Sequence, residues 1–297
     1  MKNISPDLSG KINKTSVSIL REIDRIATKL EFPFFVIGAT ARDIILEHQF
    51  DIKPARATLD IDIGILVAEW DQFELLKDEL IKLGKFNPSE KETQRLFYSG
   101  NYPIDIIPFG AIAKEDGSIS WPPEHEFRMN VAGFQECYQH AISVKLNSNP
   151  ELVVKVVSLA GLALLKLISW DDNPERRSKD APDLFLIIRS YLDAGNLERL
   201  FDEGLDIVEE DDYDYDLASA RFLGRDIGNI SSPDTKTKLI EILEKEANST
   251  QGHRIAMDIV QSDSYRNQSY ERIIEFFNVL MKGLAEKAYG RPGFEED

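Results

Sequence analysis

The hydrophobic period changes once along this 297-residue chain, near Ser158, and that change limits the architectures open to it. Before it, short runs with strand patterning alternate with helical stretches. After it, apolar residues recur only at helical spacing. The reading is an α+β domain over residues 1–158 and a helical domain over residues 159–297, within what 297 residues can support as two ordinary domains. The first ~14 residues are polar and are expected to be loosely ordered. A helix is expected from Ser16 to Leu30, a buried strand over Phe34-Phe35-Val36-Ile37 ending in Gly38, and helical chemistry again from Thr40 to Leu46. Thr58 to Leu66 alternates as a strand does, and Trp70 to Leu83 is an amphipathic helix. Arg95 to Ser99 and Tyr102 to Ile107 read as a hairpin turning at Gly100-Asn101, with further strands at Ala141 to Leu146 and Leu152 to Val156. The expected helices of the second half are Leu159 to Trp170, Ala181 to Leu192, Leu197 to Phe201, Ser219 to Leu223, Thr235 to Ala247 and Tyr270 to Lys287.

Charge narrows the function classes. Lys and Arg total 35 against 52 Asp and Glu, a net charge of −17 that disfavours an extended nucleic-acid groove. Nine of those acids fall between Phe201 and Ala220 without one base, densest over Glu209 to Asp216, and read as a solvated loop or helix start. Cys137 is the single cysteine, which rules out an intramolecular disulfide and a Cys-based zinc site and suits a reducing compartment. His125 and His140 lack partners at metal-ligand spacing, and Cys137 lacks an evident base. The apolar stretches Phe34 to Ile37 and Leu159 to Trp170 are too short or too interrupted to cross a bilayer, so no membrane partner is expected and the protein is read as cytoplasmic.

Three features could carry chemistry. Asp60 and Asp62 lie two apart in a strand, so both carboxylates leave the same face, where their repulsion calls for a cation. Oxygen-only ligands suit Mg²⁺, which favours one or two carboxylates together with waters and substrate phosphates. Alternatively, the pair is the polar face of an edge strand. Gly38-Ala39-Thr40 stands where a strand becomes a helix, so backbone N–H groups, the helix dipole and a hydroxyl could address one phosphate, or Gly38 and Thr40 are simply turn and cap. Asp105 sits in the apolar strand Tyr102 to Ile107 and needs a partner there. A neighbouring strand bearing Asp60 and Asp62 would supply the reason, three carboxylates then holding two Mg²⁺ ions; the alternative is an Arg paired with Asp105. Lys166, within Leu162-Ala163-Leu164-Leu165-Lys166-Leu167-Ile168, should bury its stem and direct its ammonium to a nucleotide phosphate or to a carboxylate such as Asp180 or Asp183. Trp121 and Trp170 are expected to anchor packing between the two halves.

In this order, Gly38-Ala39-Thr40-Ala41-Arg42-Asp43, Asp60-Ile61-Asp62 and Ile104-Asp105-Ile106 resemble the polymerase-β-type nucleotidyltransferases, and the first segment is similar to the head motif of CCA-adding enzymes and poly(A) polymerases. Ala39 replaces that turn's second glycine, and the long interval to Asp60 implies an inserted loop from Glu47 to Ala57 carrying Lys53 and Arg56. With Leu162 to Leu167 and Lys179-Asp180-Ala181-Pro182-Asp183-Leu184 added, the closer resemblance is to the AbiEii/AbiGii toxin nucleotidyltransferases, over most of residues 30–195. The resemblance implies a polymerase-β-like mixed sheet with flanking helices followed by an α-helical domain. It also implies an NTP substrate, Mg²⁺ at Asp60, Asp62 and Asp105, and catalytic assistance from Lys166. Nucleotide contacts would come from Gly38, Thr40, Arg42, Lys179, Asp180 and Asp183. The implied acceptor is a tRNA end or a protein hydroxyl, with a possible antitoxin partner. A CCA-adding or poly(A)-polymerase-like enzyme is the alternative, although no Glu-Asp-x-x-Arg-type segment occurs in residues 156–297. A non-catalytic nucleotide-sensing or partner-binding protein of the same fold is another.

Overall fold

The alternating Ile and Val runs of the first half assemble into one mixed sheet. The computed structural model describes residues 5–54, 56–210, 212–247 and 253–286, and the chain separates into two compact units, residues 1–162 and 163–297. The first unit runs α1 (Lys14–Leu30), β1 (Phe34–Ile37) and α2 (Gly38–Arg42), which continues as a π-helical stretch over Asp43–Gln49. Then follow β2 (Ile61–Leu66), α3 (Trp70–Ile81), β3 (Phe86–Pro88), β4 (Arg95–Tyr98), β5 (Tyr102–Phe109), β6 (Ser118–Ser120), β7 (Arg128–Asn130), α4 (Phe134–Gln139), β8 (Ile142–Ser148) and β9 (Glu151–Val156). Seven strands lie in the order β3-β4-β5-β2-β1-β9-β8, and β6 and β7 form a separate ribbon. β2 runs parallel to β5 and antiparallel to β1, which pairs in parallel with β9.

Register assigns the two faces of this sheet. Directly paired residues share a face, so Ile61, Ile63, Ile104 and Ile106 point together into the core, all fully buried. The opposite face carries Phe35, Gly64, Ile107 and Phe109 at one end and Asp62 and Asp105 at the other. Its apolar end is closed by α4, whose Phe134 and Tyr138 join Phe35 and Phe109 in an aromatic cluster with ring centroids 5.4–6.3 Å apart. Gly64 makes room for this cluster, because a Cβ there would fall 2.4 Å from the Phe35 ring. The cluster covers half the face and leaves the acidic end outside it.

The second unit is helical: α5 (Leu159–Asp172, which begins in the first), α6 (Pro174–Arg177), α7 (Asp180–Ser190), a π-helical stretch over Leu192–Asn196, α8 (Leu197–Glu203), α9 (Leu205–Val208), α10 (Tyr215–Ile230), α11 (Pro233–Ala247), α12 (Arg254–Gln261) and α13 (Tyr270–Ala285). α10 and α13 pack most closely, with Gly224 and Gly283 at their contact. Asp214 caps the start of α10 by accepting from the Leu217 N–H and pairs with Arg272, while Glu210 pairs with Arg221 and Lys282. Part of the acidic stretch is therefore neutralised rather than simply solvated. Asp211, within that stretch, and Lys287, the expected end of the last helix, lie outside the described residues.

Several expectations need correction. The N-terminal segment is not loose over its described part: Leu8 is buried, and the Leu8 N–H donates to the Lys145 carbonyl of β8. β3, the β6–β7 ribbon and α4 carry too few residues for a periodic signal. Trp121 packs inside the first unit, its ring centroid 5.3 Å from Trp70 and 5.6 Å from Phe73. Trp170 is fully buried in the second, donating from Nε1 to Asp258 beneath the Arg254 guanidinium.

Candidate active site

One transverse row crosses four strands. Arg95 of β4 stands opposite Asp105 of β5, Asp105 opposite Asp62 of β2, and Asp62 opposite Ile37 of β1, the last residue before Gly38. Asp60 precedes Asp62 by one strand period and reaches the same face. Carboxylate oxygens of Asp60, Asp62 and Asp105 lie within 4.8 Å of one another, each residue half-buried. Three like charges this close repel unless cations stand among them. The donor set is oxygen alone, the chemistry that hard cations such as Mg²⁺ select, so the residues present fit such an ion.

The glycine corner is built around Asp62. Gly38 has φ +63°, and a Cβ on it would lie 2.0 Å from Asp62 Oδ2. Only glycine satisfies both the backbone and the carboxylate resting on it. The following turns hold the segment that delivers Asp60. The Thr40 hydroxyl donates to the Asp60 carbonyl at 2.7 Å. Arg42, with no exposed surface, donates to Asp43 at 2.8 Å, to the Arg56 carbonyl at 3.1 Å and to Thr58 at 3.3 Å, and the Thr58 hydroxyl donates to Asp43. These side-chain bonds, rather than a strand ladder, organise residues 56–60, which is why β2 begins at Ile61 and not at Thr58 as the alternation suggests. Arg42, expected to contact nucleotide, is enclosed, its guanidinium engaged with Asp43, the Arg56 carbonyl and Thr58. Gly38→Ala is expected to displace Asp62 and abolish any function of the acidic row, with about 1–2 kcal/mol lost from the left-handed backbone. Thermal unfolding and a transfer assay on the same preparation check both parts.

Arg95 completes the row. Its Nε donates to Asp105 Oδ1 at 2.7 Å and its Nη2 to Oδ2 at 2.8 Å, a two-pronged pair, while Nη1 lies 2.9 Å from Glu92 Oε2. The hydrogen-bonded carboxylate raises the Arg95 pKa further above its ordinary value. Both partners expected for Asp105, an arginine and the other two acids, are therefore present together. Arg95 was not singled out from the sequence: a two-residue turn at Gly100-Asn101 would set Leu96 opposite Asp105, whereas the loop spans Ser99-Gly100-Asn101, pairs Tyr98 with Tyr102 and so sets Arg95 opposite Asp105.

In the second unit, Lys166, Asp180 and Asp183 come together. Lys166 Nζ donates to Asp180 at 3.0 Å and to Asp183 at 2.8 Å, and each of the three residues is 5% exposed. Burial alone would lower the lysine's pKa, but the two carboxylates outweigh it and hold the pKa above the ordinary value. Of the two destinations expected for the ammonium, the structure shows the carboxylates. Lys179 is exposed at the start of α7.

The profile described as "Nucleotidyl transferase AbiEii toxin, Type IV TA system" matches residues 25–257, most of the chain. The chain belongs to the AbiEii nucleotidyltransferase family. The match includes Gly38, the three clustered aspartates and the Lys166 group. No curated protein sequence matches this AbiEii-family chain. Among solved structures, it is similar to ANT(2")-Ia in complex with adenylyl-2"-tobramycin (16% identity, 63% of this chain and 99% of that one, TM-score 0.34). It is also similar to a CCA-adding enzyme in complex with CTP (19%, 93% and 70%, TM-score 0.34) and to the Thermotoga maritima CCA-adding enzyme complexed with tRNA (18%, 90% and 67%, TM-score 0.33).

Proposed function

We propose that this chain moves a nucleoside monophosphate from an NTP to an acceptor hydroxyl, with Mg²⁺ held by Asp60, Asp62 and Asp105. The observation that carries the reading is the transverse row, which brings three carboxylates to one face beside a glycine corner. Two ions would fit the family pattern, Asp60 and Asp62 binding metal and Asp105 completing the second site. When bound, Mg²⁺ offsets phosphate charge and makes the attacking hydroxyl more acidic.

The chain's own residues would do the rest. The acceptor oxygen attacks the α-phosphorus, the bond to the pyrophosphate oxygen breaks, and Asp105 receives the hydroxyl proton. Gly38 opens the helical segment 38–49, whose first-turn N–H groups are suited to phosphate oxygens. Thr40 commits its proton to the Asp60 carbonyl and so fixes the ligand strand. In the second unit, Lys166 with Asp180 and Asp183 would hold the start of the helix that bears the exposed Lys179, a candidate nucleotide contact. The acceptor is proposed to be a tRNA end or a protein hydroxyl. A charge of −17 favours contact with one RNA terminus over a broad RNA surface. Action as a toxin beside an antitoxin protein, in the cytoplasm, completes the reading. Among the described residues no helix is long and apolar enough to cross a membrane.

Incubation with α-labelled NTPs, total bacterial RNA and lysate protein tests it. Label is expected in one polymer, with pyrophosphate released and EDTA blocking both. Nucleotide binding without pyrophosphate release across all acceptors would instead establish a nucleotide sensor, a reading favoured by Arg95 engaging both oxygens of Asp105.

A further inference from the structure

Asp105 has two duties in the mechanism just described, and Arg95 obstructs both. Each carboxylate oxygen already accepts an N–H from the same guanidinium, which occupies one of its two lone pairs and sets a full positive charge against the group a cation or proton would approach. The pair is not sealed in: the Arg95 side chain is 25% exposed, and that of Asp105 15%. Glu92 holds the remaining nitrogen, which gives the guanidinium an anchor once it leaves Asp105. Asp60 and Asp62 stand beside this pair on the same face.

We propose that Arg95 is a displaceable internal cation: it competes with a second divalent ion for Asp105, and the triphosphate of an incoming nucleotide draws it away. The inference rests on the reading of the row as a nucleotidyltransferase site. In the absence of nucleotide Arg95 holds Asp105, so a first ion would depend on the carboxylates of Asp60 and Asp62. Nucleotide brings polyanionic phosphate to the face, the guanidinium transfers from carboxylate to phosphate, and Asp105 becomes available to the second ion and to the acceptor's proton. Arg95 is a positioning residue in this scheme, and binding order is its consequence.

Mn²⁺ titration followed by electron paramagnetic resonance tests the idea on the full chain, with and without a non-hydrolysable NTP analogue. Wild-type protein is expected to bind one Mn²⁺ firmly without nucleotide and two with it. Arg95→Met should bind two without nucleotide, the second about tenfold or more tighter than in wild type, because an opposing charge in contact with the ligand has gone. Arg95→Lys, which keeps the charge but cannot span both oxygens, should fall between them and serves if the methionine variant does not fold. An arginine that merely braces Asp105 would give the opposite sign, with the second ion weakened in Arg95→Met. Equal or weaker second-ion binding in the variants overturns the proposal while leaving the proposed reaction standing. Absence of any Mn²⁺ binding to wild type, with or without nucleotide, overturns both.

Discussion

Asp62→Asn is expected to reduce nucleotidyl transfer by about a thousandfold or more, the scale at which removing one preorganised electrostatic group from a transition state acts. The amide keeps the shape of the carboxylate against Gly38 but removes a charge from a set whose oxygens lie within 4.8 Å of each other. Repulsion among the three acids falls with it. The contrast lies in the response to Mg²⁺. At an ion concentration 100 times its dissociation constant, binding to the folded chain alone stabilises by about 2.7 kcal/mol. Wild-type protein should gain on that scale and Asp62→Asn should gain little. Denaturant unfolding with and without Mg²⁺, beside a transfer assay, reads both effects. A variant with near wild-type transfer would remove Asp62 from the site.

Lys166→Met should have the largest effect on stability, a loss of about 3–5 kcal/mol, because it removes the ammonium that both Asp180 and Asp183 contact at 5% exposure, with Arg177 left 3.7 Å from Asp180. The variant should regain part of that loss as the solution becomes more acidic and the two carboxylates protonate. In wild type, the lysine's folded pKa lies above its ordinary 10.5. Its contribution is therefore complete below that value and disappears as pH rises through the folded pKa. Chemical denaturation of both proteins across pH checks the two slopes. A stability change below about 1 kcal/mol, the size typical of an exposed pair, would contradict the buried arrangement.

The parts of the site legible in the sequence are those governed by local periodicity. Two acids one strand period apart must share a face, and a glycine between a buried strand and a helix marks a sharp corner; Asp60, Asp62 and Gly38 follow from such rules. Asp105 required the further inference that β2 and β5 are neighbours, although some forty residues separate them. Arg95 was missed by one residue: a two-residue turn at Gly100-Asn101 sets Leu96 opposite Asp105, and the loop's third residue, Ser99, shifts the register to Arg95. The clamp of Arg42, Asp43 and Thr58 was not legible, since it depends on side chains meeting across an irregular segment. Lys166 was legible as a buried cation in need of an anion, and Asp180 and Asp183 lay at the start of the next long helix to receive it. α4 escaped notice for a different reason: six residues make little helical pattern, and its value is tertiary, in Phe134 and Tyr138 closing the apolar end of the sheet.

Anomalous diffraction from crystals grown with Mn²⁺ and a non-hydrolysable NTP analogue asks directly whether the aspartate row is a cation site. A peak should lie among the carboxylates of Asp60, Asp62 and Asp105, with the analogue's phosphates beside it and toward Gly38. Nucleotide bound elsewhere, or ordered nucleotide here with no manganese between it and the three carboxylates, would contradict the assignment of this face as the centre of transfer.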